Sequence, residues 1–143
     1  MACSVAQCLE VVGEWWSMLL IRDCFLGVRR FDEFQERLGI SRNVLTQRLS
    51  KLVAAGVLEK QAYQDNPVRY EYVLTDKGRD LWPVLTSMRQ WGDVHAAPQG
   101  PPVRVIHRGC GHAARLELHC ADCGERVSYR DVRVEPGKLR KRG

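Results

Sequence analysis

The sequence predicts an α+β protein: a mostly helical domain carrying one β-hairpin, followed by a small C-terminal β unit. Three observations predict it. Apolar residues recur at helical spacing in four successive segments before Gly56. Two runs of strand periodicity then flank Asp65-Asn66-Pro67, and a further helical segment follows. After Ala97-Pro98-Gln99-Gly100-Pro101-Pro102 the helical pattern stops, and cysteines recur in glycine-containing turns between short β-prone runs. The expected divisions are a helix-and-hairpin domain over 1–97, a stiff Pro/Gly linker over 98–103, a β unit over 104–135 and a basic tail over 136–143.

The first helix is expected to start at Ser4, with Gln7 completing a capping box and Val5, Cys8, Leu9 and Val12 on one face. Gly13 interrupts it. Trp15 to Leu26 reads as a buried helix ending near Gly27, and Phe31 to Leu38 as a short one with Phe31, Phe34 and Leu38 inward. Ser41 caps the next helix, Ile40 and Leu45 form its hydrophobic staple, and Gly56 supplies a left-handed C-terminus. Its apolar positions are Val44, Leu45, Leu49, Leu52 and Val53. Strands are expected at Val57–Tyr63 and Arg69–Leu74, the second with Tyr70, Tyr72 and Leu74 on one face. Thr75 caps a helix to about Ala96, which Pro83 either kinks or restarts. That order is the layout of a winged helix-turn-helix. Past the linker, Val103–Ile106, Ala114–Leu118 and Val127–Val134 read as short strands, and no internal repeat is visible.

At 45% hydrophobic and 27% charged the chain has the composition of a folded protein, and uncharged stretches such as Trp15–Ile21 fall far short of a bilayer span. The first basic residue is Arg22, so the signal-peptide pattern is absent and a cytoplasmic location is expected, with no membrane partner. Residues 1–97 balance 12 Lys+Arg against 12 Asp+Glu, whereas residues 98–143 carry 10 against 5. The positive excess therefore lies outside the helical domain, and attraction to nucleic acid has to be argued locally.

The helix after Ser41 makes that local case. Its outward residues are Arg42, Asn43, Thr46, Gln47, Ser50 and Lys51, with Arg48 at the boundary and no acid from Ser41 to Lys51. Arg, Asn and Gln carry paired donors and acceptors that match base edges in a major groove, and the start of a reading helix reaches them first. Arg42, Asn43, Thr46 and Gln47 are thus the base-reading candidates, with Ser41 beside them at the cap. Arg48 and Lys51 are phosphate candidates, and Arg29, Arg30 and Arg69 could grip the flanking backbone or minor groove. Any surface helix is polar outside. The break at Ile40-Ser41 and the following hairpin favour double-stranded DNA over that plainer reading.

Several segments resemble the HxlR-type transcriptional regulators: Cys3-Ser-Val-Ala, Gly13-Glu-Trp-Trp-Ser-Met-Leu-Leu-Ile-Arg22, Gly27-Val-Arg-Arg-Phe-Asp-Glu-Phe34, Leu38-Gly-Ile-Ser-Arg-Asn-Val-Leu-Thr-Gln-Arg-Leu49, Ala55-Gly-Val-Leu-Glu59, Arg69-Tyr-Glu-Tyr-Val-Leu-Thr75 and Gly78-Arg-Asp-Leu-Trp-Pro-Val-Leu85. The resemblance covers about residues 3 to 96. It implies a winged-helix homodimer on operator DNA, joined through the first and last helices of the domain, here Val5 and Leu9 with Leu81, Leu85, Met88 and Trp91. The residues agree, because Leu81, Val84, Leu85, Met88 and Trp91 form an apolar stripe wide for a solvated helix, although part of it packs on its own domain. Two reading helices about 34 Å apart require a pseudo-palindromic operator. The resemblance also implies that Cys3 corresponds to an N-terminal cysteine through which some members sense oxidants or electrophiles. A helix N-terminus lowers a thiol's pKa, which fits that role, while Cys8 and Cys24 read as core. A small-ligand effector would need a pocket, for which Trp15, Trp16 and Trp82 are the candidates.

The late cysteines form a second constellation. His107-Arg-Gly-Cys110 and Cys120-Ala-Asp-Cys123 are two turns, each closing on Cys-Gly, that can present imidazole and thiolates tetrahedrally to zinc. So short a segment buries little core, and a structural metal would explain how it folds. His112 and His119 are alternative fourth ligands, and a disulfide or a ribbon that has lost its metal are alternative readings. Four protein ligands leave no place for a catalytic water. With no nucleophile–base set, phosphate loop or paired acids elsewhere, neither an enzyme nor an organic cofactor is expected. A zinc-ribbon-like adaptor that binds protein, with the helical domain merely dimerising, is the competing function.

Overall fold

The computed structural model describes residues 3–138, so the end of the basic tail, from 139 onward, lies outside the described residues. The chain divides into two compact units at Ala96/Ala97. In the first, α1 (Ser4–Val12), α2 (Trp15–Phe25), α3 (Phe31–Leu38) and α4 (Arg42–Ala54) precede the hairpin β1 (Leu58–Asp65) and β2 (Val68–Leu74), and α5 (Asp76–Arg79) and α6 (Trp82–His95) follow.

The expected starts and stops are mostly the observed ones. Ser41 caps α4 by accepting the Val44 N–H at 3.3 Å, and Gly39 ends α3 at φ 63°, a left-handed angle that other residues resist. The start of α1 differs from the Ser4 capping box: Cys3 is the N-cap, its carbonyl accepts the Gln7 N–H at 2.9 Å, and no side chain caps the helix. Pro83 restarts rather than kinks. Thr75 caps only the one-turn α5, and Pro83 then sits in the first turn of α6, where its missing N–H costs nothing.

Leu20 and Ile21 of α2, Phe34 of α3 and Leu45, Leu49 and Leu52 of α4 are fully sealed from solvent. Each such side chain contributes about 1.5–3 kcal/mol by burial, so this cluster fixes how α4 is held against α2 and α3. Asp23 is also sealed. Its carboxylate receives Arg22 at 2.9 Å and Arg37 at 3.2 Å, which ties α2 to α3 and satisfies a charge that would otherwise be costly.

The hairpin is antiparallel, from Leu58↔Leu74 to Asp65↔Val68, with an irregularity between Ala62 and Gln64 that leaves Tyr63 outside the pairing. A bridge from Arg30 to Glu71 adds a single-residue third strand that periodicity did not predict. Tyr72 and Leu74 pack on the core as expected, whereas Tyr70 lies beyond its edge and is exposed.

The second unit departs further from expectation. Instead of strands at Val103–Ile106, Ala114–Leu118 and Val127–Val134, the described residues form two tight hairpins, bridged only at Ile106↔Ala113 and His119↔Arg126. The two are copies of one another at an offset of 13 residues. His107 N–H donates to His112 O, Gly111 N–H to His107 O and Ala114 N–H to Val105 O; the same bonds join Cys120 to Glu125, Gly124 to Cys120 and Val127 to Leu118. This is an internal repeat that the sequence conceals, because only Cys-Gly is shared between the paired positions 105–114 and 118–127.

Candidate nucleic-acid interface

The α4 helix presents the polar face that its periodicity requires. Ser41, Arg42, Asn43, Thr46, Gln47, Ser50 and Lys51 are exposed, while Leu45, Leu49 and Leu52 are buried on the opposite side. The Arg42 guanidinium stands 5.1 Å from the centre of the Phe31 ring, so the start of α3 supports it. Thr46 turns its hydroxyl back to the Arg42 carbonyl at 2.9 Å, leaving its methyl outward. Ser41 is already engaged as the cap. Arg48 is half-buried: its Nε lies 3.1 Å from the Glu14 carboxylate, and the side chain is about three-quarters covered. The pair ties α4 to the start of α2, where Glu14 also caps the helix through the Trp16 N–H at 3.0 Å.

Cations line the hairpin as well. Arg30 stacks over Tyr63 at 4.4 Å, fixing the wing against the entry to α3. Arg29 lies 3.8 Å from Glu71, a loose pair on the same edge, and Arg69 is exposed near the tip. Lys60 was not among the sequence candidates. It is exposed and lies 4.3 Å from the Tyr70 ring centre. The signal was an exposed basic position on β1 opposite an aromatic strand, legible only once the register was known.

Of the early cysteines, Cys3 is exposed at the N-terminus of α1 and Cys8 is half-buried. Burial and then the neighbouring Asp23 charge push the Cys24 thiol up to about 12, which makes it inert at neutral pH and agrees with a core role. The apolar stripe divides in two. Leu81 and Leu85 pack against the domain's own core, so they are not part of a free face. Val5, Leu9, Val84 and Met88 are exposed and border an apolar cleft of about 550 Å³ together with Trp15, and Trp91 farther along α6 is 65% exposed. Trp16 packs on the core and does not line that cleft, nor does Trp82, so the three tryptophans do not form one pocket there.

In the second unit the structure brings the metal candidates together in pairs. His107 Nδ1 lies 3.3 Å from Cys110 Sγ. Cys120 is held below its ordinary thiol pKa by the Cys123 backbone N–H, then by the Asp122 N–H and the Cys123 side chain. Among the described residues no three His, Cys, Asp or Glu side chains converge as a metal-binding group, so the four expected ligands form two half-sites. His119 Nδ1 lies 3.1 Å from the Gly124 carbonyl.

A helix with an exposed polar face carried on a buried three-helix core, with a cationic hairpin beside it, is the layout of a winged helix-turn-helix protein. The chain belongs to the HxlR-like helix-turn-helix family, whose pattern matches residues 11–100. It is 44% identical over 135 residues to Rv3095, an uncharacterised HTH-type transcriptional regulator of Mycobacterium tuberculosis, a match taking in 94% of this chain and 85% of the relative. The solved structure of PA1607, a candidate transcription factor, is similar at a TM-score of 0.85 and 41% identity, over 95% of this chain and 96% of that one. The oxidised form of the redox regulator HypR is similar at a TM-score of 0.61 and 34% identity, over 65% of this chain and 97% of that one. The family match thus concerns the winged-helix domain, while the matches to PA1607 and Rv3095 are long enough to extend into the C-terminal unit too. The protein is an HxlR-like transcriptional regulator, and among the described residues no helix is long and apolar enough to cross a membrane.

Proposed function

We propose that the protein binds a pseudo-palindromic operator as a homodimer, with α4 of each protomer in a major groove, and releases or repositions it when Cys3 reacts with an oxidant or electrophile. The observation that carries the DNA reading is the exposed, acid-free face of α4, with Arg42, Asn43, Thr46 and Gln47 leading and Lys51 behind. Arg30, Arg69 and Lys60 on the wing side and Arg29 beside them serve the flanking phosphates, while Arg48 acts as an internal strut. The homodimer reading rests on Val5, Leu9, Val84, Met88 and Trp91, an apolar face that a second copy would cover. Because Cys3 is the N-cap of α1, which carries part of that face, modification at Cys3 would act on the spacing of the two reading helices.

The test is selection of bound genomic DNA followed by titration of the recovered site with the wild type, the triple variant R42A/N43A/Q47A and C3S. A single palindromic site, lost in the triple variant and released by hypochlorite or a quinone in the wild type but not in C3S, is the expected result. Retention of the site by the triple variant would refute the α4 assignment, and equal release of C3S would refute the thiol switch.

A further inference from the structure

The C-terminal unit poses a physical problem. Among the described residues from 98 to 138 none is buried, and Leu118, Tyr129 and Val134 stand in solvent. A unit without a core does not hold a fixed conformation by apolar burial and needs a different fastening. The duplicated hairpins point to one, because the chemistry-bearing residues occupy matching places in both copies. The first position is His107 in one hairpin and Cys120 in the other. Three residues on stand Cys110 and Cys123, and each is followed by a glycine in the left-handed region, Gly111 at φ 73° and Gly124 at φ 76°. That angle turns the backbone back beneath the sulfur, which is how a knuckle aims two donors at one point.

At Gly109 the imidazole of His107 folds close over the turn. A Cβ at this position would stand 2.9 Å from His107 Cε1, closer than real side chains approach. Gly109 is not in the positive-φ region, so backbone conformation does not demand glycine there. The near neighbour is the far edge of an exposed ring, so an added methyl would displace the imidazole from over the turn. The matching residue in the other hairpin is Asp122, beside the smaller Cys120. Folded over the turn in this way, His107 brings Nδ1 within 3.3 Å of Cys110 Sγ. Two donors sharing a tetrahedral zinc at about 2.0 and 2.3 Å stand roughly 3.5 Å apart.

We propose that His107, Cys110, Cys120 and Cys123 are the four ligands of one structural zinc ion, which fastens the two hairpins to each other. The repeat selects among the histidines: His107 shares the place of Cys120, whereas His112 matches Glu125, and His119 matches Ile106 and is occupied with the Gly124 carbonyl. On binding, the three thiols lose three protons and the imidazole coordinates as the neutral base, so the centre carries one net negative charge. Four protein ligands close the sphere, and the role is to fold the unit rather than to catalyse.

The experiment uses the full-length chain, purified without chelator and assayed for zinc, then stripped under reducing conditions and titrated with Co²⁺. The expected result is one metal per chain and the visible bands of tetrahedral cobalt with sulfur charge transfer. These bands are lost in C110S and in C123S and kept in H112N and H119N. Two further variants hold the idea to account even where the serine variants unfold. H107C should keep the site and raise the charge-transfer intensity by roughly a third, as three thiolates become four. G109A should weaken cobalt binding in the wild type by displacing the imidazole, and leave binding unchanged in H107C, where no ring stands over the turn. Absence of stoichiometric tetrahedral cobalt, survival of the bands in C110S or C123S, or a Cys120–Cys123 disulfide without metal in the purified chain would overturn the proposal. So would a G109A effect that is the same in both backgrounds.

Discussion

Replacing Arg42 and Lys51 one at a time separates reading of sequence from gripping of phosphate. Arg42 sits in the first turn of α4 with its guanidinium supported by Phe31, which limits the conformations it must give up on meeting a base. A good paired contact to a base edge discriminates by about 1–3 kcal/mol. A symmetric dimer makes the contact twice, so R42A should cost about 2–6 kcal/mol, or roughly 30-fold to 10⁴-fold in affinity. The loss should fall on the operator alone and relax the preference at one base pair in each half-site. Lys51 lies near the end of α4, on the outer face but away from the leading turn. K51A should weaken operator and unrelated DNA alike, and lower the slope of log affinity against log salt by about 0.9 per half-site.

Fluorescence anisotropy on operator and scrambled duplexes, each at several salt concentrations, provides both readouts. Losing the Arg42–Phe31 contact also removes about 0.5–1 kcal/mol of folding stability, so a Tm drop of about 2–8 °C is expected in R42A and must be recorded beside the affinity. The reasoning fails if R42A weakens all duplexes equally, or if K51A changes the sequence preference while leaving the salt slope intact.

Gly78 is helical and buried, and a Cβ there would meet the Val57 carbonyl oxygen at 2.2 Å. G78A should therefore destabilise the domain by about 3 kcal/mol and lower Tm by more than about 10 °C, and a shift near zero would disprove the close approach. The Cys24 pKa, raised from 9.0 to about 12, implies that the folded state holds its proton longer than the unfolded one. Its contribution to stability is thus full below pH 9 and fades as pH rises towards 12, so C24A should flatten the alkaline loss of stability relative to the wild type in denaturant titrations. Charges placed on the exposed apolar face, as in L9E or M88E, should give monomers by sedimentation with unchanged helix content and weakened operator binding. A variant that stays dimeric would place the interface elsewhere.

Much of the winged-helix unit was legible because its signals are local. The Ser41 cap, Gly39 and the spacing of Leu45, Leu49 and Leu52 each act within a few residues, and α4 follows from them. What escaped depends on contacts between distant residues. Arg48 has the sequence position of a phosphate ligand, and only the fold brings Glu14, far away in the chain, beside it. Leu81 and Leu85 share the periodicity of Met88, and only packing on α2 and its neighbours separates core from open face. The failure in the C-terminal unit was of another kind. β-Prone residues such as Val132 and Val134 suggested strands, yet strands need partners to satisfy their backbone, and this short unit spends its hydrogen bonds on two hairpins. The repeat went unseen because it is a repeat of backbone geometry.

The electrostatics also explain how a domain with balanced charge can attract DNA. Its 12 acids do not cancel its 12 cations evenly over the surface, because several acids are engaged within the fold. Asp23 is buried between Arg22 and Arg37, Glu14 holds Arg48, and Asp93 holds Arg89 at 3.1 Å along α6. Each of these pairs uses a cation as well, but none lies on the outer face of α4, where Arg42 and Lys51 meet no acid from Ser41 to Leu58. Net charge is therefore a poor guide here. With a Debye length of about 8 Å at physiological ionic strength, what a phosphate senses is the local face and the wing cations beside it, not the sum over the domain. It follows that an acid introduced at Ser50, on that face, should weaken binding far more than the same acid placed on the outer surface of α6, although both change the net charge equally.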